Sequence, residues 1–150
     1  MRGLIFSMAN GLYALRLDQI QQVLALAVLR QIPGTEASVA GMLNLRGHNL
    51  PVVDLALLCT GTSEPIGLRS RIVVLGGADG LPALGLLVFA TGEVMETAAL
   101  PASCPVDTGT LKFLGGISLH GNKSVHWIDT DILRDTALRR LRGSDEVAHV

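Results

Sequence analysis

Short apolar runs separated by glycine and proline dominate the chain, and their lengths are those of β-strands. Residues 4–8 and 12–17 form two such runs on either side of Asn10-Gly11, a dipeptide that accepts the positive φ angles of a type I′ turn. In the second run Tyr13, Leu15 and Leu17 fall on one face and Leu12, Ala14 and Arg16 on the other, as the period of two in a strand requires. The segment therefore predicts a β-hairpin at the start of the chain.

Further strands are predicted on both sides of Arg46-Gly47 and at residues 71–75, 84–89 and 125–128. A short helix at residues 18–25, with Asp18 as its cap, and a single helical turn at residues 36–39 interrupt this pattern. The total is roughly eight to ten strands, which suits one or two small barrels. The sequence thus predicts an all-β fold with a minor helical part.

The period changes near the C-terminus, where Leu133, Ala137 and Leu141 share one stripe of a predicted helix. Asp129 or Thr130 can cap the start of this helix. Arginines 139, 140 and 142 are then expected to lie at the negative end of the helix dipole, and Gly143 to end the helix. We expect a single domain over residues 1–143 and a flexible tail at residues 144–150.

Composition favours an interaction protein. The chain has 150 residues, of which 49% are hydrophobic and only 17% are charged, so much of its surface is expected to be uncharged or covered by partners. A formal net charge of -1 gives no basic face for nucleic acid. No stretch of about 20 residues is apolar throughout and the N-terminal run is too short for a secretory leader. We therefore expect a cytoplasmic protein without direct membrane insertion.

Catalytic and metal-binding patterns are weak. Four histidines, at positions 48, 120, 126 and 149, lack the spacing of a metal site, and Cys59 and Cys104 are expected to be reduced, buried thiols. Glycine-rich residues 76–80 lack the lysine of a phosphate loop and predict a turn. Ser38, Cys104, His48 and Asp54 do not assemble into a nucleophile, base and acid from sequence alone. We expect no metal, no cofactor and no enzyme activity.

The segment VAGMLNLRGHNLPVVDL, residues 39–55, resembles the signature of CheW-like domains, a pattern of the form GxxNLRGxxxPVVDL. The phrases LDQIQQVL, RIVVL, LGLLV, LKFLGGI and WIDTDIL follow in the order expected for that family, over about residues 4–135. The resemblance implies two five-stranded, SH3-like barrels that pack around a shared interface and are closed by a C-terminal helix. It also implies a non-catalytic coupler that joins the regulatory domain of a CheA-type histidine kinase to the cytoplasmic tips of chemoreceptors. The closing phrases look most similar to the couplers of Wsp-type surface-sensing systems.

The resemblance also carries over individual positions. The receptor-binding candidates that it implies are Ile20, Gly41, Leu45 and Arg46, with Val94 on the second barrel. The positions that match the motif itself, and that it implies are structural, are Asn44, Arg46, Gly47, Pro51 and Asp54.

Two departures from the family pattern leave alternatives open. Gln22 stands where typical members have a glutamate that pairs with the motif arginine, so Arg46 is expected either to tie neighbouring chain together or to turn toward a partner. Phe89-Ala90 replaces a typical Asp-Gly, which predicts either a repacked core or an additional apolar contact with a partner. A rival hypothesis is a small-ligand-binding or catalytic barrel in which Arg46 and His48 hold an anion.

Overall fold

The structure is a computed structural model that describes residues 1–77, 82–97 and 114–148. Strands account for most of the regular structure, and two α-helices and one short 3₁₀ helix (Leu17–Gln19) complete it. The ten strands within the described residues are β1 (Arg2–Met8), β2 (Gly11–Arg16), β3 (Ile20–Ala25), β4 (Val39–Leu45), β5 (His48–Asp54), β6 (Arg71–Leu75), β7 (Leu84–Val88), β8 (Ala90–Glu96), β9 (Leu114–His120) and β10 (Lys123–Ile128). The helices are α1 (Leu55–Thr60) and α2 (Thr130–Ala148). The predicted class, all-β with a minor helical part, is confirmed.

The strands form two five-stranded sheets. Sheet 1 has the order β8-β1-β2-β10-β9, and sheet 2 has the order β3-β6-β7-β5-β4. Neighbours are antiparallel except for β2 with β10 and β5 with β7, which are parallel. The chain leaves sheet 1 after β2, completes sheet 2, and returns to sheet 1 between β7 and β8, where Phe89 is the single connecting residue.

The outer strands of each sheet approach one another. In sheet 2, Arg30 lies five residues beyond β3 and exchanges two backbone hydrogen bonds of 2.9 Å with Met42 of β4. In sheet 1, His120 Nε2 at the end of β9 lies 2.7 Å from Glu93 Oε1 of β8. Each sheet therefore curls far enough for its two outer strands to meet at one point, as in the small barrels that were predicted.

One large core joins the two sheets and the C-terminal helix. Phe6 and Leu15 of sheet 1, Val52 and Leu86 of sheet 2 and Leu133 of α2 all belong to it, and all five side chains are fully buried. A smaller cluster lies on the other face of sheet 1 and consists of Ile5, Ala14, Met95, Val125 and Trp127. Because burial of apolar area is the main favourable term in folding, the shared core holds the two sheets together.

The first hairpin forms as predicted, but its turn is shifted by one residue. Met8 pairs with Gly11, so the two turn residues are Ala9 and Asn10, with φ angles of 50° and 64°. Gly11 is already the first residue of β2. The predicted Asn10-Gly11 turn is wrong: in the observed register, from Gly3 with Arg16 to Met8 with Gly11, the chain reverses one position earlier, and asparagine tolerates the positive φ angle required there.

The predicted helix at residues 18–25 is wrong. The chain forms the 3₁₀ helix and then strand β3, in which half-buried Ile20, Gln22 and Leu24 alternate with exposed residues. Asp18 forms an ion pair with Arg16 at 2.6 Å instead of capping a helix. The period of two and pairing with β6 outweigh the local capping signal. At residues 36–39, Val39 N donates a hydrogen bond of 3.0 Å to Glu36 O. This bond closes a single turn, and β4 starts at Val39.

The C-terminal helix forms and is longer than predicted. Asp129 caps it, because its Oδ1 accepts hydrogen bonds from the backbone N–H groups of Asp131 at 3.1 Å and Ile132 at 3.2 Å. The helix does not end at Gly143 but continues to Ala148, so that prediction is wrong. A lone glycine costs a helix about 1 kcal/mol relative to alanine, which the turns on both sides outweigh. Arginines 139, 140 and 142 therefore lie within the helix and not at its end.

Several expectations lie outside the described residues. These are the end of the glycine-rich turn at residues 78–80, the beginning of the LKFLGGI phrase at residues 111–113, the thiol of Cys104 and the imidazole of His149. The extent of the domain, residues 1–143 with a tail after it, stays a prediction.

Candidate partner-binding surface

The NLRG segment is a tight turn between β4 and β5. Leu45 pairs with His48, and the two residues between them, Arg46 and Gly47, have φ angles of 51° and 82°. Two positive φ angles define a type I′ turn, which is costly for a residue with a side chain and natural for glycine. Asn44 Oδ1 accepts a hydrogen bond of 3.0 Å from Gly47 N and so secures the turn. The turn predicted at Arg46-Gly47 is confirmed.

The Arg46 side chain is exposed and makes no hydrogen bond or ion pair with any residue that the structure describes. The expected tie to neighbouring chain is therefore absent from this part of the molecule. Gln22, which occupies the position of the family's glutamate, lies half-buried on β3 and forms no side-chain hydrogen bond to Arg46.

Arg46 lies beside an open depression of about 550 Å³ on sheet 2, which we call the Arg46 depression. Its polar lining consists of Gln21, Gln22, Arg46, His48 and Asn49. Its apolar lining consists of Leu45, Leu50, Pro51, Val74, Pro82 and Ala83. No carboxylate is among the described residues that line it. The depression therefore combines one permanent positive charge, three amide groups and an aliphatic floor.

Asp54, near the end of the motif, has a structural role. Asp54 is buried, and its Oδ1 accepts a hydrogen bond of 3.0 Å from Leu57 N, which caps helix α1. Its Oδ2 accepts a second hydrogen bond of 2.6 Å from Ser63 Oγ. Pro51 lies in β5 opposite Met42 and lines the Arg46 depression. The sequence did not predict α1, which ends at Gly61 with a φ angle of 81°.

The receptor-binding candidates do not lie together at one place. Leu45 and Arg46 both line the Arg46 depression, whereas Ile20 is half-buried against the main core. Gly41 is buried on β4, where an added Cβ would come within 2.9 Å of the Arg30 carbonyl oxygen. Val94 lies on β8, in the other sheet, with 49% of its surface exposed. The structure thus brings two of the five candidates together, and the binding role of all five stays a prediction.

The sequence profile of the CheW-like domain matches residues 2–137. The chain belongs to the CheW family. It is 23% identical over 150 residues to the chemotaxis protein CheW of Klebsiella aerogenes, with 98% of this chain and 84% of the relative covered. Its fold is similar to the crystal structure of the scaffolding protein TtCheW from Thermoanaerobacter tengcongensis, with a TM-score of 0.72 and 28% identity over 85% of this chain and 82% of that one. The resemblance found in the sequence is thereby confirmed.

The second departure from the CheW family pattern, Phe89-Ala90, is a matter of packing. Phe89 is 6% exposed and belongs to the main core, at the point where the chain crosses from sheet 2 to sheet 1. Its carbonyl oxygen accepts a hydrogen bond of 2.7 Å from Ser70 Oγ. The structure favours the repacked core over an additional apolar contact with a partner, because the ring has little surface to offer.

Sequence reasoning missed Arg134, whose side chain connects distant parts of the chain by hydrogen bonds. Arg134 is 7% exposed, and its guanidinium donates hydrogen bonds to Pro82 O at 2.9 Å and to Gly76 O at 2.7 Å. These bonds connect α2 to the ends of β6 and β7. The signal was present, because at 100° per residue position 134 falls between Leu141 and Leu138 on the apolar side of the helix.

The described cysteine is buried, and one of the described histidines lies against a tyrosine. Cys59 is a free, buried cysteine, and burial, followed by the nearby negative charge of Asp54, raises the pKa of its thiol to about 12. It therefore stays protonated near neutral pH. His126 lies against Tyr13 with 5.7 Å between ring centroids, and burial raises the pKa of that tyrosine. In the described ranges, no three metal-ligating side chains come together.

Among the helices that the structure describes, none combines the length and the apolar composition needed to cross a membrane.

Proposed function

We propose that this protein is a non-catalytic coupling protein of a bacterial chemosensory array. It would link the regulatory domain of a CheA-type histidine kinase to the cytoplasmic tip of a methyl-accepting chemoreceptor. The observation that carries the proposal is a CheW-like fold whose NLRG turn presents Leu45 and Arg46 at an open depression, with no carboxylate among the described residues that line it. Function would then depend on affinity and geometry alone, with no bond made or broken.

Several observations support a role in binding rather than catalysis. The NLRG turn is rigid, since both φ angles and the Asn44 hydrogen bond fix it, so the side chains beside it are preorganised for contact. The two partners named in the proposal are cytoplasmic, and the proposed place of action is accordingly the cytoplasm. The low proportion of charged residues fits a protein with much of its surface in contact with neighbours.

A co-sedimentation experiment tests this function. Purified protein is mixed with membranes that contain a chemoreceptor of the host, with and without the host's CheA-type kinases. We expect the protein to sediment with the receptor and to increase the amount of kinase in the pellet. Failure to bind either partner at tens of micromolar protein would refute the coupling role.

The rival hypothesis, a barrel that binds a small anion through Arg46 and His48, is tested on the same preparation. A thermal-shift panel of common metabolites and inorganic anions should leave the melting temperature unchanged. A ligand that stabilises the protein at micromolar concentration, combined with no binding to kinase or receptor, would favour the rival.

A further inference from the structure

The turn between β1 and β2 places an alanine where glycine or asparagine is favoured. Its two turn residues are Ala9 and Asn10, with φ angles of 50° and 64°. Asparagine visits such angles because its short polar side chain can bond to nearby backbone, whereas the Cβ of alanine is only crowded by them. Ala9 is therefore a strained position in the first hairpin.

A more favourable turn lies one residue further along the chain. Asn10-Gly11 is a dipeptide of the kind that a type I′ turn prefers. A two-residue turn there would pair Ala9 with Leu12 and displace β1 along β2 by two residues, about 7 Å. Because side chains alternate with a period of two, Phe6 and Met8 would still face the main core. The direction of the side chains therefore does not by itself exclude this slipped register.

Glu64 bonds to the backbone donor that distinguishes the two registers. Its Oε1 accepts a hydrogen bond of 3.0 Å from Ala9 N. In the observed hairpin this N–H takes no part in the pairing of β1 with β2, which ends at Met8 and Gly11. In the slipped register the same N–H would donate to the carbonyl oxygen of Leu12 across the new hairpin. The Glu64 bond and the slipped register therefore exclude each other.

The position of Glu64 is set from sheet 2. The preceding residue, Ser63, donates a hydrogen bond of 2.6 Å from its Oγ to Asp54 Oδ2. Asp54 lies at the end of β5 and caps α1 by accepting a hydrogen bond of 3.0 Å from Leu57 N. The carboxylate that meets the first hairpin of sheet 1 thus belongs to a loop that is fixed to the other sheet.

We propose that Glu64 selects the register of the first hairpin, by holding the Ala9–Asn10 turn against a slip of two residues to the Asn10-Gly11 turn. β1 is the strand that slips, because β2 continues directly into the 3₁₀ helix and then into β3 of sheet 2. Glu64 is a positioning residue in this device. The inference concerns the fold and goes beyond the proposed function, so it holds whether or not the chain couples a kinase to a receptor.

The slip of β1 would change sheet 1 beyond the hairpin. β1 also pairs with β8, where the half-exposed Val94 lies opposite Leu4. At the end of this pairing Met1 N donates a hydrogen bond of 2.8 Å to Thr97 O, and Thr97 N donates one of 2.8 Å to Met1 O. Displacement of β1 by about 7 Å would break both bonds and give Val94 a different neighbour. Through Glu64, sheet 2 therefore determines the pairing of an outer strand of sheet 1.

Nuclear Overhauser effects in the isotope-labelled full chain measure the register directly. Hα protons of non-hydrogen-bonded pairs lie close together across a hairpin, and such a pair is Ser7–Leu12 in the observed register and Met8–Tyr13 in the slipped one. We expect the wild type to show the first contact only. The Glu64→Met variant removes the acceptor, and we expect a second set of signals with the Met8–Tyr13 contact in about a tenth of the molecules or more. A Glu64→Met protein that shows the Ser7–Leu12 contact alone would overturn the inference.

Two further variants distinguish register selection from a general loss of stability. Glu64→Gln keeps an oxygen that can accept the Ala9 N–H, so it should show the wild-type contact alone. Ala9→Gly added to Glu64→Met should also restore that contact alone, because glycine accepts the positive φ angle of the observed turn. Persistence of the second set of signals in this double variant would refute the inference. If Glu64→Met does not fold, recovery of a folded protein by Ala9→Gly supports register selection, and failure to recover it counts against the idea.

Discussion

Arg134 carries its charge into the protein, and no carboxylate among the described residues forms an ion pair with it. Its guanidinium is bonded to the carbonyl oxygens of Gly76 and Pro82, at the ends of two neighbouring strands of sheet 2. Buried charged groups are tolerated only where hydrogen bonds replace their hydration. The two carbonyl oxygens supply those bonds, and in return Arg134 satisfies two backbone acceptors next to β6 and β7.

The Arg134→Met substitution should therefore destabilise the fold. Methionine keeps an unbranched side chain but removes both donors, so two acceptors lose hydrogen bonds to a charged group. We expect the free energy of unfolding to fall by about 2 kcal/mol or more, measured by urea denaturation. Arg139→Met, which removes an exposed arginine of the same helix paired with Asp135, should cost no more than about 0.5 kcal/mol. Equal losses in the two variants would show that Arg134 has no special role.

At this scale, the sequence revealed which residue types matter better than what they contact. The NLRG motif correctly located a turn, because positive φ angles are a local property that glycine and asparagine report. The partner of an arginine is set by packing between distant elements, and position 134 meets residues 76 and 82 only after the fold is complete. Hydrogen bonds to neighbouring chain were accordingly expected from Arg46, whereas the described structure shows such bonds from Arg134.

At the scale of the elements, sheet 2 shows which features follow from the local sequence and which depend on pairing between distant segments. Nearly all predicted strands are present, because short apolar runs between turn residues determine them. β3 was mistaken for a helix, and the parallel pairing of β5 with β7 was not predictable, because it joins segments about thirty residues apart. The crossing from β3 to β4 depends on Gly41, where the Arg30 carbonyl oxygen and Leu29 pack against bare backbone.

The Gly41→Ala substitution should weaken this crossing. A Cβ at position 41 would lie 2.9 Å from both Arg30 O and Leu29 Cβ, and the φ angle of +150° is unfavourable for alanine. We expect a loss of about 1–3 kcal/mol in the free energy of unfolding, measured by chemical denaturation. Gly67→Ala is the control, since a Cβ there meets nothing within 4 Å and stability should stay nearly unchanged. Wild-type stability for Gly41→Ala would mean that the crossing segment moves aside freely.

For the whole molecule, the decisive feature is that the main core belongs to both sheets and to α2. Separate barrels would each enclose their own apolar side chains, whereas Phe6, Val52 and Leu133 come from three different parts of the fold and share one cluster. The class and the strand count could be predicted from the sequence and the family resemblance. The resemblance also implied a shared interface between the barrels, but the residues that form it could not be predicted, because they depend on which faces of the two sheets meet.

We therefore expect the two sheets to unfold together. Trp127, the single tryptophan, lies on the far face of sheet 1 and reports on that sheet by fluorescence, whereas far-ultraviolet circular dichroism reports on all strands. In urea the two signals should give one coincident transition, as a cooperative domain requires. A tryptophan transition displaced from the dichroism transition would indicate two units that are stable independently.

The chain path described above also fixes an order of events at the ribosome. All five strands of sheet 2 lie between residues 20 and 88, so its pairings become available as soon as that stretch has left the exit tunnel. Strands β1 and β2 emerge before sheet 2 and yet must wait for β8 and β10, which follow sheet 2 in the chain, before their outer edges are covered. During synthesis the β1–β2 hairpin consequently has two uncovered edges until β8 and β10 have emerged, and over that interval it is the part that a chaperone would need to shield.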